Sequence, residues 1–117
     1  MRIINQSREL TKVEKYQLTQ SPDMLSMKDI DDEAKITVNA WCVYEDINSK
    51  DDEVEILTIL TPDNQIYCTQ SATFKEDFMN IVDIMEENEV FTIIKRSGTT
   101  KAGRPYVYCL LDVGSVQ

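Results

Sequence analysis

The chain contains no histidine. That removes the commonest general base and the commonest transition-metal ligand, and with them every Ser-His or Cys-His nucleophile pair. Glycine and proline number only three each among 117 residues. Gly98 and Gly103 are too few and too far apart to form a phosphate-cradling loop, and no polar tract resembles a linker. The cysteines are three, Cys42, Cys68 and Cys109, an odd and widely spaced set among apolar or β-forming residues. They are expected as reduced core thiols rather than a disulfide or metal set. No stretch approaches the roughly 20 apolar residues that span a bilayer, and the opening MRIINQSRELTKVEK lacks the apolar middle of a secretory signal. A cytoplasmic protein with no membrane partner is expected. The acidic runs DIDDE at 29–33 and DDE at 51–53 lack the glycine and spacing of a calcium loop and read as solvated loops. These absences predict a protein that is not an enzyme and holds no metal and no cofactor.

With 42% hydrophobic and 28% charged residues, the chain can bury one ordinary core. Residues 35–44, KITVNAWCVY, alternate Ile36, Val38, Ala40 and Cys42 against Thr37, Asn39 and Trp41, which is the period of a strand. Two further strands follow at 54–60 and 65–69, separated by the turn formers Thr61 to Asn64. The period then changes. Phe74, Phe78, Ile81, Val82 and Met85 line one helical stripe, and Thr73 with Glu76 fits a capping box, which predicts a helix over about 73–88. VFTIIKR at 90–96 and PYVYCLL at 105–111 complete five strands, joined by SGTTKAGR. Five strands with a helix between the third and fourth is the element order of an OB-fold barrel, so a mainly β domain over 34–113 is predicted. Residues 1–33 form an N-terminal extension of unassigned role. Within it Thr11 and Glu14 fit a capping box for a short helix through Leu18, and Met24, Leu25, Met27 and Ile30 could cover one opening of the barrel.

The net charge is −9, which speaks against a surface that coats duplex DNA. The charge is unevenly placed. From Val90 to Leu111 there is no acid, while Lys95, Arg96, Lys101 and Arg104 carry +4 and leave −13 for the rest. In OB domains the last hairpin, the loop after the first strand and the face of strands two and three receive nucleic acid. Trp41, Tyr44, Tyr67, Tyr106 and Tyr108 all fall in predicted strands. Aromatic rings beside cations suit sequence-independent binding of single strands, because every base has a π-face and every nucleotide a phosphate.

The run from Asn39 to Leu111 resembles the single-stranded-DNA-binding proteins of protein-primed Bacillus phages and related small proteins from phages and mobile elements of Gram-positive bacteria. The similar features are NAWCVY ending in Tyr44, LTILTPDNQIY with Tyr67, the helix FKEDFMNIVDIM, and GTTKAGR before an aromatic strand. They cover about two-thirds of the chain; the acidic loop DINSKDDE and the N-terminal extension fall outside the match. The resemblance implies an OB fold in the bacterial host cytoplasm that protects single-stranded DNA during replication, and it carries base stacking onto Tyr44 and Tyr67. Trp41, Tyr106 and Tyr108 join them on the bottom-up argument alone, with Lys95, Arg96, Lys101 and Arg104 expected at phosphates. Tyr67 is expected to face outward by its register against Ile66 and Cys68. Tyr44 shares the register of Cys42, and a strand end or bulge near Glu45 is expected to turn it outward. Replication proteins and further copies of the chain are the candidate protein partners. The alternative reading is an OB-like interaction module of phage or mobile-element origin whose acidic face binds a host protein.

Overall fold

The computed structural model describes residues 1–116. Among them are eight strands in two sheets: β1 (Arg2–Gln6), β2 (Leu25–Ser26), β3 (Lys35–Val38), β4 (Ala40–Ile47), β5 (Glu53–Leu60), β6 (Ile66–Thr69), β7 (Phe91–Thr99) and β8 (Pro105–Leu111). Two helices accompany them, α1 (Lys12–Gln20) and α2 (Ala72–Ile84). The first sheet has the order β1-β4-β5-β6-β2, and the second β3-β7-β8. No helix among the described residues is long and apolar enough to cross a membrane.

The predicted first strand is two strands. It breaks at the exposed Asn39, whose N–H donates to the Leu60 carbonyl at 3.0 Å. Its first half pairs with β7 and its second half with β5, so one run of chain stitches the two sheets together. No ladder joins β6 to β8 among the described residues, so the sheets do not close into a complete barrel.

The break at Asn39 also exchanges faces. Ile36 and Val38 before it lie in one core cluster with Trp41 and Val43 after it, together with Leu57, Ile59, Phe74, Phe78 and Ile93. Ala40, Cys42 and Tyr44 lie instead in a second cluster with Leu60, Ile66, Leu10 and Leu18. The expected alternation from Ile36 to Cys42 on one face is therefore corrected. Every residue from Ala40 to Tyr44 is buried, because this strand has a core on both sides.

That second core is made by the N-terminal segment, which is part of the domain's packing. The helix expected there is present, with the capping box at Thr11 and Glu14. Leu18 is fully buried against the outer face of the first sheet. β1 pairs antiparallel with β4 and covers its edge, with a register shift between Ile3 and Asn5 that disrupts the strand. Met27 is buried in the main core with Ile30 packed against it, whereas Leu25 is exposed.

α2 begins earlier than expected. Its N-cap is Ser71, not Thr73: the Ser71 hydroxyl accepts from the Phe74 N–H at 3.2 Å and donates to the Val107 carbonyl at 3.3 Å. One serine thus caps the helix and ties it to β8. The helix ends at Ile84, short of the expected 88, and buries Phe74, Phe78 and Ile81. Trp41 meets Phe78 edge-on, with ring centroids 5.7 Å apart.

Candidate nucleic-acid interface

Four of the expected site residues are drawn into the cores by packing, Trp41, Tyr44 and Lys95 completely and Tyr67 in part. Trp41 is 5% exposed, since the face exchange at Asn39 turns it into the main core. Tyr44 is 3% exposed beneath the N-terminal segment, and its hydroxyl donates a long hydrogen bond of 3.5 Å to the Thr19 carbonyl. No bulge turns it outward: β4 continues paired with β5 through Ile47. Burial pushes the Tyr44 phenol up to about 12. Tyr67 is half-buried and packs against the main core, because the Ile66 side of β6 faces the second core. The expectation that Tyr67 faces outward is corrected on the same ground.

Lys95 is the fourth. It shares the register of Phe91 and Ile93 on β7 and so points inward, leaving it 2% exposed. Its ammonium donates to the Ile30 carbonyl at 2.7 Å and to Asp32 at 3.0 Å. Hydrogen bonds from Ser97 and then Lys95 hold the Asp32 carboxyl below its usual range. Lys95 therefore anchors residues 30–33 across one end of β7.

Arg96, next along, points outward. Its guanidinium donates to both oxygens of Glu33, at 2.8 and 3.3 Å, so its charge is partly matched. Neither partner acid was foreseen from the sequence, where Asp32 and Glu33 lie 63 residues before the cations they meet.

The remaining expected residues come together at one end of the second sheet. Tyr106 and Tyr108 are two apart on β8 and so share its outer face. Their ring centroids are 5.8 Å apart with planes inclined by 34°. Across the ladder Tyr108 pairs with Arg96, and Tyr106 pairs with Gly98. The connecting turn is closed by hydrogen bonds between Thr100 and Arg104, with Gly103 at φ 83°, a conformation that favours glycine. Lys101 and Arg104 are exposed on that turn, and neither enters an ion pair among the described residues. The arrangement sets two adjacent rings, Tyr106 37% exposed and Tyr108 half-buried, beside two free cations and one partly matched cation.

All three cysteines are free: Cys42 and Cys109 are buried, and Cys68 is half-buried. Burial raises each thiol, Cys109 to about 12. No group of three metal-ligating side chains occurs among the described residues. The chain matches no protein-family model, no curated protein and no solved structure.

Proposed function

We propose that the protein is a non-catalytic, sequence-independent single-stranded-DNA-binding protein that protects transient strands in phage or mobile-element replication. The observation that carries the reading is the Tyr106–Tyr108 ring pair beside Arg96, Lys101 and Arg104. Rings at this spacing on one sheet face give successive bases two stacking surfaces, and the cations lie where a backbone running along the hairpin would place phosphates. The net charge of −9 fits a protein that engages nucleic acid through one local edge, not a broad basic surface.

The architecture behind the reading is a partly open OB-type barrel. In its favour are a broken first strand shared by both sheets, a helix between β6 and β7, and a final hairpin that projects the cationic turn. The expected stacking face on strands two and three is occupied by the chain's own N-terminal segment, so the proposed interface moves to β7–β8.

A gel shift with oligo-dT and with a duplex of equal length tests the proposal. Retardation of the single strand alone is expected, and it should be lost in the double variant Tyr106→Ala/Tyr108→Ala. Binding to neither nucleic acid would discard the reading.

A further inference from the structure

Residues of the N-terminal segment cover the outer face of the first sheet, but the end nearest the last hairpin stays open. There a cleft of about 800 Å³ lies between that sheet and β7–β8. Tyr44, Ile56 and Cys68 line it from the sheet, Met24 from the N-terminal segment, and Pro105 and Val107 from the hairpin. Its volume and its mixed lining, in which apolar walls alternate with polar side chains, are those of a ligand site. Left in water, such a surface forgoes the burial that the rest of the face obtains under α1.

The polar lining divides into used and unused groups. Ser71 caps α2, and the Ser97 hydroxyl donates to Asp32. Thr69 accepts from the Ser71 N–H. Ser26, Lys28, Asp29 and Gln70 also line the cleft, yet their side chains enter no hydrogen bond or ion pair among the described residues, and the Lys28 cation stands against the Asp29 carboxylate there. Tyr106 lines the cleft and belongs to the ring pair as well. A strand stacked on that pair therefore passes the mouth of the cleft.

We infer that the cleft takes one unstacked nucleobase of a strand held on the hairpin, an inference that rests on the single-strand reading above. A base is flat and apolar on its faces, which suits a slot between the half-buried Ile56 and Cys68 on one side and Pro105 and Val107 on the other. Its rim carries donors and acceptors that Ser26, Lys28 and Gln70 can satisfy. Serine hydroxyl and glutamine amide each both donate and accept, so the cleft admits bases without choosing among them. A duplex keeps its bases stacked and paired and would have to break both interactions to fill the site.

Cys68 provides the test, because it lines the cleft while Cys42 and Cys109 are buried elsewhere. The native protein is alkylated with iodoacetamide at mildly alkaline pH, with Cys68→Ser confirming where the label goes. Strand occupancy is followed separately by fluorescence anisotropy. With oligo-dT at about ten times its Kd only the unbound fraction reacts, so alkylation should slow about tenfold. An abasic strand brought to the same occupancy at low salt, where phosphate contacts hold it, should leave the rate unchanged. Saturation by oligo-dT without protection of Cys68 overturns the cleft assignment and leaves strand binding intact. Equal protection by the abasic strand overturns it too, since no base would then be needed. Failure of oligo-dT to bind at all removes both proposals.

Discussion

The Tyr106 phenol lies across Gly98 on the neighbouring strand, so closely that a Cβ there would come within 2.5 Å of its Cζ and hydroxyl oxygen. The missing side chain of Gly98 is what lets the ring rest on β7. Gly98→Ala is expected to push the ring aside, because the clash is with the far end of a rotatable side chain. Single-strand affinity should fall by about 1–3 kcal/mol, as for a lost stacking ring. Adding Gly98→Ala to Tyr106→Ala should cost little more than Tyr106→Ala alone. Calorimetric titration with oligo-dT measures the cycle; additive losses would place Gly98 outside the site.

Lys95 and Lys101 are both lysines of one hairpin, but their roles should separate cleanly. With Lys101 and Arg104 free and Arg96 partly matched by Glu33, log K against log[salt] should have a slope of about −1.4 to −2.1, at roughly 0.7 per phosphate contact on a single strand. Lys101→Glu with Arg104→Glu should abolish most of that slope with little change in melting temperature. Lys95→Met should instead cost about 1–3 kcal/mol of stability by leaving the Ile30 carbonyl without its donor. The slope of the folded fraction should be unchanged. A slope that falls with Lys95→Met would return that side chain to the interface.

These contrasts show which parts of the molecule were legible in the sequence. The strands at 54–60 and 105–111, the stripe of α2 and the capping box at Thr11 and Glu14 follow from local periodicity and local hydrogen bonding. Tyr106 and Tyr108, two apart in a strand, could be placed on one face for the same reason. The burial of Tyr44 and Trp41 depends on a long-range event, the face exchange at Asn39 and the packing of Leu10 and Leu18 onto the second side of the sheet. Strand period assumes one buried face, and this strand has two. Lys95 carried a usable signal, since its register matches Phe91 and Ile93. Its acidic partner, by contrast, comes from a distant loop that no local pattern indicates.

Tyr44 should behave as a core residue with an unusual titration. Tyr44→Ala removes a buried ring from beneath the N-terminal segment and should cost roughly 3 kcal/mol or more. Tyr44→Phe should cost under about 1 kcal/mol, since the hydroxyl's only hydrogen bond is long. In an ultraviolet pH titration, the difference between the parent and Tyr44→Phe isolates one phenol, whose midpoint should lie near 12. A midpoint near 10, the ordinary value, would mean that the N-terminal segment does not cover this ring.

The attachment of that segment should depend on pH through Glu14. Its carboxylate accepts two hydrogen bonds from the Arg8 guanidinium, at 2.8 and 2.7 Å, and one from the Thr11 N–H at 2.9 Å. The Arg8 bonds, then the Thr11 bond, hold its pKa down at about 2, against an ordinary 4.5. A carboxyl with a lowered folded-state pKa stabilises the fold fully above its unfolded value. That stabilisation is lost as pH falls from 4.5 towards 2. The contribution at neutral pH should be about 1–2 kcal/mol, less than the full shift implies because the pair is partly solvated. Glu14→Gln keeps an amide able to cap the helix but removes the charge, so it should melt lower than the parent at neutral pH. Between pH 4.5 and 2 the two melting temperatures should converge as the parent's carboxylate is protonated. A gap that stays constant down to pH 2 would show that Glu14 acts through the cap alone and that the ion pair with Arg8 adds nothing.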